Sequence, residues 1–299
     1  MPAAINGVTA LVGVLGNPVR HSLSPAMHNA ALAELGLNWV YLALPAPPER
    51  LEQVLDGLEA VGCRGLNVTI PHKQAVVSLV AELSPLARRL GAVNTLVPRV
   101  GGGWFGTNTD VEGFLAPLRS GPFGPWTGKR ALVLGCGGSA LAVVAGLVEL
   151  GLESIQVAAR QPAALEAFLA TGAGWSEACR LEGLAWGGSL AQALAGVDLV
   201  VNTTPVGMAS LTDPAAALRC PLTAPELQAL QPQTLVYDLI YTPRPSQLLR
   251  QAAALGCPSL DGLEMLVQQG AAALRHWCDL SEIPVAAMRQ AALAELGHG

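Results

Sequence analysis

Charge is scarce in this sequence. Asp, Glu, Lys and Arg make up 13% of its 299 residues, and aromatic side chains only 4%. There is no run of Lys or Arg and the formal net charge is -5, so the electrostatic footprint of a nucleic-acid-binding protein is missing and no nucleic-acid partner is expected. The six cysteines, Cys63, Cys136, Cys179, Cys220, Cys257 and Cys278, include no C-x-x-C pair. Their scatter argues against a disulfide scaffold or a zinc site and for a reducing, cytoplasmic compartment. His21, His28 and His72 are not spaced as metal ligands, and no metal is expected. No basic segment precedes the first apolar one, so no signal peptide is read. One uncharged stretch, residues 131–148, just reaches membrane-spanning length. Gly135, Gly137 and Gly138 fall in its first half, which fits a strand, tight turn and helix better than a span, and no membrane partner is expected.

What the sequence has instead is Ala, Leu, Val and Gly, within a hydrophobic fraction of 51%. That composition suits helices packed on parallel strands, and the length allows one large domain or two ordinary ones. TALVGVLGNP reads as a buried strand. Ser24-Pro25 then opens a helix, with Ser24 suited to the N-cap and Pro25 to the first turn; Met27, Ala31 and Leu35 recur at helical spacing and Gly36 ends it. WVYLALP and GLNVTIP are strands, residues 49–61 are helical, and a helix runs from about Gln74 to Leu83. GAVNTLV and WFGTNTD are short extended runs before a helix from about Val111. Pro and Gly crowd residues 117–128, the best linker candidate. Beyond it, strands ALVLG, IQVAA, DLVVNTT and TLVYDLI alternate with helices, which implies a parallel, doubly wound sheet. After Gly262 the chain is helical again, and Pro284 starts a last helix.

Gly135-Cys136-Gly137-Gly138-Ser139-Ala140 follows one of these strands and opens a helix, in the pattern G-x-G-x-x-A. Glycines permit the tight turn and the close approach of backbone to a pyrophosphate, and the helix N-terminus supplies N–H donors with a favourable dipole. NAD sites usually place a carboxylate about 20 residues further on, to hold the ribose 2′-hydroxyl. Here Ala158-Ala159-Arg160-Gln161 stands at the end of the second strand instead. Arg160 can pair with a 2′-phosphate that a carboxylate would repel, which favours NADP; the alternative is a solvated loop arginine.

Five polar clusters each follow or end an expected strand: His21-Ser22-Leu23-Ser24-Pro25, Asn67 to Lys73, Gly91 to Thr95, Gly106 to Asp110, and Asn202 to Met208. Ligands of open α/β sheets bind at the carboxyl ends of strands. Hydroxyls, amides, one Lys and one Asp suit a small, hydroxyl-rich, neutral-to-anionic molecule. Singly, each cluster also has a plain structural reading. Ser24 and Asp110 are both suited to helix N-caps, and Lys73 fits a first-turn surface lysine, although that is the wrong end of a helix dipole for a cation.

In this order the clusters resemble the shikimate dehydrogenase family, through GNPVRHSLSPAMHN, NVTIPHK, GAVNT, GTNTD, GCGGSALA, NTTPVGM, DLIYTPRPSQLL and GLEMLVQQGA. The resemblance implies two α/β domains. The catalytic one would comprise residues 1–113 plus 262–299, and a Rossmann-like, doubly wound NADP-binding domain residues 114–261, with the site in a cleft between them. It implies that Ser22 and Ser24 bind a substrate carboxylate. Thr69, Asn94, Asp110 and Gln269 would hold ring hydroxyls, and Tyr241 would also face the substrate. Lys73 and Asp110 would be the catalytic pair. Gly135, Gly137, Gly138, Ser139 and Ala140 would line the pyrophosphate, Arg160 and Thr203 would belong to the same cofactor site, and Met208 and Gly262 would lie by the nicotinamide.

The implied activity is NADPH-dependent reduction of 3-dehydroshikimate to shikimate in the chorismate pathway to aromatic amino acids, by a cytoplasmic monomer or homodimer. Where members often read Asn-Arg-Thr followed by a further basic residue, this chain reads Ala159-Arg160-Gln161 and then Ala164, leaving the arginine alone to grip the 2′-phosphate. Ser246 stands where Thr is common. The neighbouring alternatives are a quinate/shikimate dehydrogenase using NAD or NADP, and a non-catalytic binding module. The intact Ser22-x-Ser24 pair speaks against the first, and the presence of both Lys73 and Asp110 against the second.

Overall fold

The computed structural model describes residues 5–175, 177–187, 190–210 and 212–297. It divides into two compact units, Met1–Gly113 with Leu266–Gly299, and Phe114–Met265.

The first unit is built on β1 (Ala10–Gly16), α1 (Ser24–Glu34), β2 (Trp39–Pro45), α2 (Leu51–Ala60), β3 (Gly65–Val68), α3 (His72–Ala75), β4 (Glu82–Leu83), α4 (Pro85–Leu90), β5 (Thr95–Pro98) and β6 (Trp104–Thr107). Its sheet has the order β2-β1-β3-β5-β6-β4. β1 is parallel to β2 and β3, whereas β5 runs antiparallel to both β3 and β6. Leu15, Leu55, Leu66, Val76, Leu96 and Trp104 are among the residues of its core. Gly36 ends α1 as expected: it takes φ +66, and the Leu37 N–H reaches back to the Leu32 carbonyl.

Two expectations for this unit are corrected. Ser24 is not the side-chain cap of α1; Leu23 holds the cap position without a side-chain bond, and Ser24 is the first helical residue. The helix expected over about 74–83 is one α-turn, α3, then a 3-10 turn over Val76–Ser78, and Leu83 already belongs to β4. Val76, Val77 and Val80 are β-branched and lower helix propensity there, while Val76 is fully buried. The following α4 is a clean helix that periodicity over so few residues hides. Ser84 caps it by accepting from the Ala87 N–H, and Gly91 ends it in the left-handed region.

The chain leaves this unit through α5 (Asp110–Ser120). The segment 117–128 is not a linker: Pro117 to Ser120 finish α5, and the buried Trp126 donates its indole N–H to the Leu118 carbonyl. The second unit follows as β7 (Arg130–Leu134), α6 (Gly138–Glu149), β8 (Ser154–Ala159), α7 (Pro162–Gly172), β9 (Arg180–Ala185), α8 (Leu190–Leu194), β10 (Leu199–Asn202), α9 (Ala224–Gln228), β11 (Leu235–Asp238), α10 (Gln247–Ala254) and β12 (Ser259–Leu260). All of its strands are parallel, in the order β12-β11-β10-β7-β8-β9. The order reverses at β7, which is the topology of a doubly wound dinucleotide-binding sheet. The uncharged stretch 131–148 is β7, a turn and α6, and no helix of the described residues is long and apolar enough to cross a membrane. α6 is buried at every residue from Ala140 to Leu147. Finally α11 (Leu263–Cys278) and α12 (Val285–Leu296) return the chain to the first unit.

Candidate active site

In the first unit, strand ends and helix starts bring several of the singled-out residues together. Thr69 follows β3, and its N–H donates to the Leu15 carbonyl of β1 at 2.8 Å. The Thr69 carbonyl accepts from the His72 N–H, opening the short α3. His72 is buried with Nε2 2.8 Å from the Ala46 carbonyl, which anchors the turn. Lys73 follows, its own carbonyl accepting from the Val93 N–H at 2.8 Å.

Lys73 is therefore no surface lysine. Its Nζ donates to Asp110 Oδ2 at 2.6 Å, with side-chain exposures of 17% and 6%. Asp110 is not a helix cap either. Its second oxygen, Oδ1, accepts from Asn94 Nδ2 at 2.7 Å, and its N–H donates to Asn108 Oδ1. Gln269 of α11 joins the group, its Oε1 3.4 Å from Asn94 Nδ2. A half-buried ammonium is thus fixed on a carboxylate whose other oxygen is fixed by an amide. Such a pair can hold or deliver one proton at a defined point.

Ser22 and Ser24 sit at the start of α1, where Ser22 Oγ accepts from the Ser24 N–H at 3.2 Å. Four residues on, the buried His28 ring is 2.8 Å from the Ser24 carbonyl through Nδ1 and stacks on Tyr41 at 4.0 Å. Burial lowers the His28 pKa to about 4 from 6.5. Its contribution to stability is complete above pH 6.5 and lost as pH falls toward about 4, because only the unfolded chain takes the proton in that window.

In the second unit the cofactor-loop residues occupy the turn from β7 into α6. Gly135 has φ +105, and a Cβ there would come within 2.7 Å of Thr203 Oγ1, so the turn requires glycine. Thr203 itself is fixed to the Leu134 carbonyl at 2.8 Å. Gly137 caps α6 and Gly138 begins it; a Cβ at either would meet no atom within 4 Å. That open backbone at a helix N-terminus fits the pyrophosphate of a dinucleotide. Ser139 and Ala140 continue the first turn of α6, and Arg160 is exposed just after β8. Met208 is 44% exposed after β10, and its N–H donates to the Pro205 carbonyl. Tyr241 follows β11, its phenol pKa raised by burial. Gly262 lies in the turn between β12 and α11.

Asp238, at the end of β11, was not singled out in the sequence. It is fully buried and accepts from Asn202 Nδ2, the Ile240 N–H and Ser246 Oγ. Ser246 thus does two jobs, since it also caps α10 through the Leu249 N–H. Burial outweighs the three donors and pushes the Asp238 pKa up to about 6 from 3.8. The folded state then binds this proton more tightly than the unfolded one, so Asp238 favours folding below pH 3.8 and that advantage is lost as pH rises through about 6. Asp238→Asn should therefore gain stability relative to the parent between about pH 4 and pH 7, by on the order of 3 kcal/mol at most. Urea midpoints at the two pH values measure this; a constant difference between variant and parent would refute the shift.

Residues 14–96 match a family model described as the shikimate dehydrogenase substrate binding domain, and residues 262–293 match the shikimate 5′-dehydrogenase C-terminal domain. A curated relative from Nostoc sp., shikimate dehydrogenase (NADP(+)), is 48% identical over 98% of this chain and 99% of its own length. Among solved structures, shikimate 5-dehydrogenase from Listeria monocytogenes in complex with shikimate and NAD is similar at a TM-score of 0.85. It is 32% identical, covering 96% of this chain and 97% of that one. Shikimate 5-dehydrogenase from Thermus thermophilus in complex with NADP(H) and shikimate has a TM-score of 0.82 and 38% identity, covering 96% of this chain and all of that one.

Proposed function

The chain belongs to the shikimate dehydrogenase family, and from that premise we propose that it catalyses the reversible, NADPH-dependent reduction of 3-dehydroshikimate to shikimate, a step toward chorismate and the aromatic amino acids. The observation that carries the mechanism is the Lys73–Asp110 pair held by Asn94. NADPH, when bound, supplies the hydride. The chain supplies the rest. The Lys73 ammonium gives a proton to the ketone oxygen as it becomes an alkoxide, and in the reverse direction takes it back. Asp110 keeps that ammonium in place and accepts from a substrate hydroxyl, with Thr69, Asn94 and Gln269 holding further hydroxyls. Ser22 and Ser24 bind the carboxylate, and Tyr241 also faces the substrate. In this reading the first unit, with the segment from 262 onward, binds substrate. The second binds cofactor through Gly135, Gly137, Gly138, Ser139, Ala140, Arg160, Thr203 and Met208, and Gly262, where the returning segment begins, lies by the nicotinamide. We place the enzyme in the cytoplasm as a monomer or homodimer, with no nucleic-acid or membrane partner.

The test is the near-ultraviolet absorbance of reduced nicotinamide in four mixtures, shikimate or quinate with NADP or NAD. Reduction of NADP by shikimate alone is the expected result. Comparable rates with quinate or NAD would make the protein a dual-specificity quinate/shikimate dehydrogenase, and silence in all four would remove the catalytic reading. Arg160 is the one charged group at the end of β8. Arg160→Ala is expected to raise the KM for NADP about tenfold, the scale of one charge-assisted hydrogen bond, and to leave that for NAD unchanged. An equal effect on both cofactors would count against a 2′-phosphate role.

A further inference from the structure

We propose that a buried chain of hydrogen bonds, Tyr41–Asn67–Thr95–Asn94, positions the Asp110 carboxylate, and that Tyr41 and Thr95 are positioning residues for the reaction. Tyr41 and Thr95 are fully buried, and Asn67 and Asn94 nearly so. Neither Tyr41 nor Thr95 is needed to explain the sheet: Val or Phe would fill the same volume in a strand. Yet each bond in the chain is present. Tyr41 Oη lies 2.8 Å from Asn67 Oδ1, and Asn67 Nδ2 3.3 Å from Thr95 Oγ1. Thr95 Oγ1 lies 2.9 Å from Asn94 Oδ1, and Asn94 Nδ2 2.7 Å from Asp110 Oδ1.

The direction of every bond is settled by groups that can only donate or only accept. The Thr109 N–H points at Asn94 Oδ1 from 2.8 Å, so that atom is the amide oxygen and the amide nitrogen must face Asp110. The Asn94 carbonyl, an acceptor, lies 3.3 Å from Asn67 Nδ2, so Asn67 turns its oxygen to Tyr41 and the phenol must donate. All the donors therefore run one way, from Tyr41 to the carboxylate, and aligned hydrogen bonds polarise one another in a low-dielectric interior. The far end is clamped as well. Tyr41 stacks on His28 and packs against Trp277. His28 in turn lies 2.8 Å from the carbonyl of Ser24, one of the two serines assigned to the substrate carboxylate, so packing links the far end of the chain to that part of the proposed substrate site.

This inference rests on the reading of Lys73 and Asp110 as the acid–base pair, and the experiment separates the two. Steady-state kinetics with shikimate and NADP would compare Thr95→Val, Thr95→Ser, Tyr41→Phe and Asp110→Asn with the parent, each at a temperature where it is fully folded. Thr95→Val keeps the shape and loses the hydroxyl; Thr95→Ser keeps the hydroxyl and loses a buried methyl. The expected result is a fall in kcat of about tenfold for Thr95→Val, the scale of a small misplacement of a catalytic group. The KM for NADP should not change. Tyr41→Phe should fall in the same direction, and Thr95→Ser should retain near-parental kcat although it melts lower. A purely structural role predicts the opposite order for the two threonine variants. Thr95→Ser losing as much turnover as Thr95→Val, or parental kcat in both Thr95→Val and Tyr41→Phe, overturns the positioning role. Should Thr95→Val not fold, parental kcat in Tyr41→Phe alone overturns it. Full activity in Asp110→Asn overturns the acid–base reading and the inference with it.

Discussion

Lys73→Ala is expected to lower turnover by ~10²–10⁴, the range for a placed proton donor, with a smaller change in the KM for shikimate. Lys73 Nζ is the charged donor on Asp110, and the pair is mostly shielded from solvent. Removing the lysine takes away the proposed proton source and leaves a buried carboxylate without its cation, which is costly. Asn94 still donates to the other oxygen and Asn108 Oδ1 still accepts the Asp110 N–H, so the carboxylate keeps its place. The substrate contacts proposed for Ser22, Ser24 and Thr69 do not involve Lys73. The loss should therefore appear in kcat and kcat/KM together, the signature of an interaction made in the transition state. A folded Lys73→Ala that lost binding and turnover equally would instead make Lys73 a substrate-binding residue. Melting curves of the variant decide whether it is folded enough for the comparison.

The parts of this molecule that the sequence makes legible are those where one local rule acts alone. β7, β10 and β11 are short runs buried on both faces, so their apolar residues stand out between turn residues. β9 carries Arg180 and Glu182, which are exposed and paired with each other, and an edge strand of that kind gives no apolar signal. β12 is two residues long and exists only by pairing with β11. The Pro/Gly content of 117–128 points to irregular backbone but does not say on which side of a domain boundary it falls; the buried Trp126 does.

The site divides in the same way. Lys73, Asn94 and Asp110 are legible because charged and amide residues are conspicuous at the ends of apolar strands, whereas Gln269, inside α11, is named only through the family resemblance; all four meet in the first unit. The cap positions assigned to Ser24 and Asp110 follow from residue type alone; Leu23 takes the first, and the tertiary partners Lys73 and Asn94 engage the Asp110 carboxylate. Tyr41 was hidden: it lies in the middle of β2, where an aromatic residue reads as core, and its role depends on strand register and on the orientation of two amides. Thr95 lies within the motif GAVNT, but nothing in a linear motif says which way its hydroxyl points.

Gly262→Ala is expected to unfold the second unit at a temperature lower by roughly 6 °C or more, from overpacking of about 3 kcal/mol. A Cβ at Gly262 would lie 1.9 Å from the Leu239 carbonyl oxygen and 2.4 Å from its carbon. The obstacle is backbone, and it is pinned on both sides. The Leu239 N–H donates to the Asn202 carbonyl, and the Ile240 N–H to Asp238 Oδ1. The glycine side has no slack either, since its own N–H donates to the Ile240 carbonyl and Asp261, one residue earlier, is paired with Arg244. Relief must come from moving the segment after β11, which carries Tyr241, so activity should fall with stability. Gly137→Ala is the contrast that isolates the cause. Gly137 has φ -85 and open space around its Cβ position, so the melting temperature should not move, while the KM for NADP rises if the pyrophosphate approaches that backbone as proposed. Two glycines assigned to the same cofactor would then fail differently, one by displacing the protein's own backbone and one by displacing its ligand. An unchanged melting temperature for Gly262→Ala would mean that the Leu239 carbonyl can rotate away at little cost, and that the close packing of this turn does not set the stability of the unit.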